Sequence, residues 1–130
     1  FHLEVLSLFP KACCEYSSML LARFLIEEKG YNITDILMIK GQSIVEVDQL
    51  HLWLNVSDVI VDITAGQFKA AENPIIIDAY GSWHHKIFYE LETYIPSIDF
   101  KNYVDDFGEL TLEKDYLMII QHTRQNSTLL

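Results

Sequence analysis

Glycine and proline are scarce in this chain of 130 residues, five and three, and they stand singly between longer stretches. That spacing excludes a collagen-like or low-complexity polymer, and no internal repeat is visible. Cysteine is scarcer still. Cys13 and Cys14 are the only two, and neighbours in sequence cannot easily meet the geometry a disulfide needs. No disulfide framework is therefore expected, and a reducing, cytoplasmic compartment is the simpler setting, with secretion as an effector the alternative. No apolar run approaches the roughly 18 residues that cross a bilayer, so no membrane partner is expected. The opening ten residues are too short for a signal peptide and lack its basic start. The chain begins with Phe1 rather than Met, which reads as a trimmed sequence or a piece of a longer one.

Basic residues are few, 9 against 19 acidic, for a net charge of −10. Affinity for nucleic acid depends on Lys and Arg displacing counterions, so no nucleic-acid partner is expected. Between Glu90 and Asp115 eight acidic residues face only Lys101 and Lys114. Such a run reads first as a solvated helix face and second as a docking surface for a basic partner. What the chain has in quantity is apolar material, half of its residues, with 12% aromatic. That suffices for one packed core and a single domain over residues 1–130. Three Asn-x-Ser/Thr sequons, at Asn32, Asn55 and Asn126, match by composition alone.

Along the chain, helical spacing of Leu20, Leu21, Phe24 and Leu25 predicts a helix from Ala12 to Glu28, with Gly30 as its left-handed cap. Ile33 to Ile39 reads as a buried strand. His51 to Val56 and Val59 to Thr64 read as a hairpin, and Pro74 to Ala79 as a further strand. Trp83 to Tyr94 reads as a short helix or an irregular aromatic stretch. Leu110 to Arg124 reads as a C-terminal helix with a stripe of Leu112, Tyr116, Ile119, Ile120 and Thr123. The order gives an α+β fold: an N-terminal helix packed on an antiparallel sheet, then a C-terminal helix.

Two parts of this layout carry chemistry. Cys14 stands at a helix start, where unpaired N–H groups and a partial positive charge favour an anionic sulfur, the form that acts as a nucleophile. The competing reading is a small buried hydrophobe. Ser57 and Asp58, as a two-residue loop, would put Leu52, Leu54, Val56, Val59, Val61 and Ile63 on one face of the hairpin. His51, Trp53, Asn55, Ile60, Asp62 and Thr64 would lie on the other. His51 and Asp62 are then diagonal neighbours roughly 7–8 Å apart at the backbone, within reach of a hydrogen bond. Asp62 alone reads as a carboxylate capping a turn near Thr64, and His51 alone as a ring packed on Trp53. A carboxylate inside Val-Ile-Val-Asp-Ile-Thr nevertheless calls for a partner. A metal site from Cys13, Cys14, His51, His84 and His85 lacks the usual ligand spacings, so neither metal nor cofactor is expected. His84 and His85 read as surface residues beside Trp83, or as the edge of a cleft.

Three segments resemble small bacterial transglutaminase-like or papain-like proteins. They are Phe9-Pro10-Lys11-Ala12-Cys13-Cys14, His51-Leu52-Trp53-Leu54, and Val61-Asp62-Ile63-Thr64-Ala65-Gly66-Gln67-Phe68. The resemblance spans Phe9 to Phe88. It implies a papain-like core with Cys14, His51 and Asp62 as a catalytic triad, Cys13 being the competing nucleophile. Gln67 matches a recurring glutamine of these relatives and, with Trp53, is a candidate for substrate binding; packing beside His51 is the other role open to Trp53. The activity implied is acyl transfer from an amide of a protein or peptide through a thioester. Protease, amidase, glutamine deamidase and transglutaminase share that chemistry. The alternative is a binding module of the same fold without activity, which Glu15, a carboxylate next to the nucleophile, favours.

Overall fold

A five-stranded antiparallel sheet in the order β4-β3-β2-β1-β5 organises the molecule. The computed structural model describes residues 14–68, 71, 73–100 and 112–127. Its elements are α1 (Cys14–Glu27), β1 (Ile36–Ser43), β2 (Leu50–Val56), β3 (Val59–Asp62), β4 (Ile76–Asp78), α2 (Ser82–Ile87), β5 (Phe88–Tyr94) and α3 (Leu112–Ser127). The expected α+β layout, a helix before an antiparallel sheet and a helix after it, is what the chain adopts. Among the described residues no helix is long and apolar enough to cross a membrane.

The sheet has two buried faces. Ile36, Met38, Leu52, Leu54 and Val56 on one face meet Met19, Leu20 and Ala22 of α1 and Leu112, Tyr116 and Ile120 of α3. Each large aliphatic side chain enclosed there contributes about 1.5–3 kcal/mol. Ser17, Ser18 and Ala22 are buried on α1, and these small side chains let the helix lie close against β2. Gly30 adopts φ +77° after α1, and Tyr31 N–H donates to the Leu25 carbonyl, closing the helix as its sequence predicts. Arg23 forms a forked ion pair with Glu113, and Tyr116 Oη donates to Glu27, tying α3 to α1. The opposite face of the sheet packs Ile39, Trp53, Ile60 and Phe88 beneath Phe68, Trp83 and Ile87. Period-two alternation thus divides β2 between two cores.

Several boundaries differ from expectation. Ile33–Asp35 is a turn of 3-10 helix, because Asn32 Oδ1 accepts from Thr34 N–H and starts a local coil before β1. β3 ends at Asp62 rather than Thr64, where Thr64 leads into a second 3-10 turn, Ala65–Gln67. The stretch from Trp83 to Tyr94 is neither all helix nor irregular. It divides at Phe88 into α2 and a strand that pairs with β1. β5 is an edge strand and is exposed on both sides from Tyr89 to Thr93, so it lacks the alternation that marks a half-buried strand. Thr123 is exposed and does not belong to the packed stripe of α3. The acidic run does not form one solvated helix face. Glu90 and Glu92 are exposed on β5, Glu113 pairs with Arg23, and Asp115 is buried, while residues 101–111 lie outside the described set.

The β2–β3 hairpin has the expected register, with Val56 opposite Val59 and Leu54 opposite Val61. Ser57 and Asp58 form its two-residue turn with φ of +49° and +69°. Both angles are those of a type I′ turn, which matches strand twist but strains residues that carry a Cβ. Asn55 Oδ1 accepts from Asp58 N–H and holds the turn. Replacing Ser57→Asn together with Asp58→Gly is expected to raise stability by about 1 kcal/mol, read as a higher urea midpoint at unchanged slope.

Candidate active site

His51 is the first inward-facing residue of β2, and Asp62 is the last residue of β3. The tight Ser57–Asp58 turn keeps both side chains on the same face of the hairpin. His51 Nε2 lies 2.7 Å from Asp62 Oδ2, and the two residues are 0% and 1% exposed. Asp62 is held on its other side by backbone pairing with Ile76 of β4. Its second oxygen, Oδ1, accepts from Thr64 N–H at 2.9 Å and Thr64 Oγ1 at 3.3 Å. The turn-capping role and the histidine-orienting role thus fall to different oxygens of one carboxylate.

A further ring completes the cluster. His84 Nε2 stands 2.6 Å from the same Oδ2 and is 0% exposed. Its sequence suggests a surface residue or the edge of a cleft; the structure buries it. The reason is local. The Asp78 carboxylate, at the end of β4, accepts from Tyr80 N–H and Ser82 N–H, and Gly81 adopts φ +65°. That turn starts α2 and brings its second and third residues, Trp83 and His84, back over the sheet. His85, on the outer side, is exposed and lies 3.9 Å from Glu90. The Asp78-x-Tyr80-Gly81-Ser82 turn was the available signal, since Asp with Gly before a short aromatic helix forms such a reversal.

The rings of His51 and His84 are nearly parallel, 11° apart with centroids 6.2 Å from each other, on either side of the carboxylate. Trp53, Phe68 and Phe88 surround His51, and Trp53 and Trp83 contact His84. Trp53 is only 1% exposed, so of its two expected roles packing against the histidines is the one displayed. An enclosed indole presents no face to a substrate. Gln67, on the 3-10 turn after β3, places Nε2 3.2 Å from His51 Nδ1. An amide N–H donates, so Nδ1 is the acceptor and the neutral His51 ring carries its hydrogen on Nε2.

Cys14, half-buried and not in a disulfide, is the first described residue of α1 and a neighbour of this ring. Burial disfavours the imidazolium of His51. The hydrogen bond to Asp62, the neighbouring Cys14 and the Asp62 charge outweigh it, and the ring is a stronger base than an ordinary histidine. With Nε2 taken by Asp62, Nδ1 is the nitrogen that Gln67 occupies and that a sulfur reaching the ring would have to share. Burial likewise disfavours the Asp62 carboxylate, but the hydrogen bonds from His51, His84 and Thr64 hold it well below the usual carboxylate range. Cys14, His51, Asp62 and Gln67 are therefore gathered at one place. Cys13 lies outside the described residues.

His51, Asp62 and His84 present donor atoms within 4.8 Å of one another, the spacing of a cation site. The separations of 2.6 and 2.7 Å are those of charge-assisted hydrogen bonds, with a hydrogen between each nitrogen and the oxygen. An ion would have to displace both hydrogens, and the two Thr64 contacts already fill the other oxygen. The cluster is a hydrogen-bonded one.

Compared with known proteins, the chain matches no family model, no curated protein and no solved structure.

Proposed function

We propose that the chain is a cysteine-nucleophile acyl-transfer enzyme with a papain-like or transglutaminase-like core. One observation bears most of the weight: His51 hydrogen-bonds a buried, ionised Asp62 through Nε2 and has Cys14 as a neighbour. A base held between a carboxylate and a helix-terminal thiol is what sulfur nucleophiles require.

In the proposed cycle His51 Nδ1 takes the Cys14 proton, and the sulfur attacks an amide carbonyl of a protein or peptide. The C–N bond breaks as His51 returns the proton to the leaving amine. Water or a second amine then attacks the thioester and frees the sulfur, with His51 again as base. Water makes the enzyme a protease, amidase or glutamine deamidase, and an amine makes it a transglutaminase. Backbone N–H groups at the start of α1 are the default donors to the oxyanion. Gln67 stands beside Nδ1, next to where the acyl group would be held, which suits it to contact substrate. Asp62 keeps the His51 tautomer fixed and balances its positive charge.

The inactive binding module rests on Glu15. That residue is exposed on α1, where solvent screens its charge, which weighs toward the enzyme. The deciding measurement is iodoacetamide alkylation at neutral pH, mapped by mass spectrometry in a Cys13→Ser background. Cys14 is expected to react on the order of ten times faster or more than a free thiol, and His51→Ala to remove the excess. Ordinary thiol reactivity in the unmutated site would sink the proposal.

A further inference from the structure

His84 is a buried titratable group that the proposed cycle leaves without a task. It occupies the same carboxylate oxygen as the base, at 2.6 Å against 2.7 Å for His51. Its other nitrogen, Nδ1, is buried with no hydrogen-bond partner among the described residues. A hydrogen on Nδ1 would be a buried donor without an acceptor, so the site fits the tautomer with hydrogen on Nε2. His84 then reaches Asp62 as a donor.

From this shared oxygen we infer that His84 is a positioning residue that tempers the basicity of His51 through Asp62. The inference deepens the enzyme reading and rests on it for its consequence. Two donors divide the acceptor strength of Oδ2, and Thr64 occupies Oδ1. The carboxylate is saturated and stays ionised, yet it stabilises the His51 imidazolium less than it would with that ring as sole donor to Oδ2. The effect is useful in a base that must also return its proton. An imidazolium held too firmly by Asp62 would give up its hydrogen to the leaving amine too slowly.

The groups that bear on His51 are Cys14 from α1, Asp62 from β3 and Gln67 from the turn after it. His84 from α2 acts through Asp62, and the Asp78 carboxylate lies in the turn that precedes α2. Trp53, Phe68 and Phe88 supply the apolar remainder.

The test uses a Cys14→Ser background, in which ring titration does not depend on thiol chemistry. The His51 pKa is followed by NMR of its ring carbons and nitrogens in three proteins: His84 intact, His84→Phe and His84→Gln. His84→Phe, with no donor, is expected to raise the His51 pKa by about half a unit or more. His84→Gln restores an amide N–H donor and is expected to return it to the starting value. An unchanged or lowered value in His84→Phe, or a His84→Gln that behaves like His84→Phe, overturns the inference. Near-UV circular dichroism checks folding, and His84→Met replaces His84→Phe where the larger ring does not fit. With Cys14 present, the basic limb of the alkylation–pH profile is expected to move in the same direction. A wild-type Cys14 that alkylates like a free thiol counts against the enzyme reading alone, because the ring titration still decides what His84 does to His51.

Discussion

Asp62→Ala is expected to lower stability by about 3–5 kcal/mol and to bring the alkylation rate of Cys14 down to that of a free thiol. The size follows from what the carboxylate serves. It is the acceptor for His51 Nε2, His84 Nε2 and both Thr64 donors, all in the enclosed half of the sheet. Alanine would leave these donors buried and unpaired, and would remove the negative charge that supports the imidazolium. Asp62→Asn separates the two losses. The amide keeps the shape and one acceptor oxygen, but its NH₂ cannot accept from an imidazole N–H, so the His51 tautomer is no longer fixed. A smaller loss of stability is expected, with Cys14 alkylation still brought down to that of a free thiol. Urea unfolding and alkylation kinetics read the two effects separately. Wild-type reactivity in Asp62→Asn would remove Asp62 from the mechanism.

The same carboxylate gives the folded state a definite pH dependence. Asp62 is depressed below its ordinary value of 3.8, so its contribution is complete above that value and lost as pH falls below it toward the folded pKa. His51 is raised above its ordinary 6.5, so its contribution is complete below 6.5 and lost as pH rises through the folded pKa. The pair therefore favours the interval between the two ordinary values. Asp62→Ala should flatten both limbs, since it removes one partner of each interaction.

The hairpin was legible because its grammar is local. Strand parity on either side of Ser57 and Asp58 puts His51 and Asp62 on one face, and the observed register agrees as far as Leu54 and Val61. The last steps were not legible. β3 stops at Asp62 because Thr64 turns back to bond its carboxylate, and no alternation of residue types announces that bond. His84 was missed for a related reason. Its burial depends on a turn built by Asp78 and on a strand, β5, whose exposed edge gives no periodic signal. Two adjacent histidines look alike in sequence, and only the direction of α2 sends one to Asp62 and the other to solvent. Cys14 could be placed at a helix start, but its meeting with His51 is a tertiary contact between residues far apart in the chain. The acidic run failed as a helix face because charge counts ignore the chain direction between β5 and α3.

Gly41→Ala is expected to lower stability by about 1–3 kcal/mol and to slow Cys14 alkylation, although residue 41 bears no reacting group. Gly41 lies opposite His51 in the β1–β2 ladder, at the point where the pairing of β1 with β5 shifts register. A Cβ there would stand 2.6 Å from Trp53 Cη2, 2.7 Å from Trp53 Cζ3 and 3.1 Å from Phe88 Cβ. Such contacts are relieved only by movement, and the indole has little room to move. It is packed against His51, His84 and Phe88, with centroids 5.6, 4.6 and 5.6 Å away. Displacing Trp53 therefore displaces the two rings that share Asp62. Hydrogen bonds of 2.6 and 2.7 Å tolerate little of that, because their strength falls steeply with distance and angle. Trp53→Phe removes the atoms that a Cβ at position 41 would strike. The double variant is accordingly expected to lose less stability than the sum of the two single losses, a coupling of about 0.5–3 kcal/mol in a double-mutant cycle. Strict additivity, or a Gly41→Ala protein with wild-type alkylation, would show that Trp53 does not transmit backbone crowding to the His51–Asp62 pair.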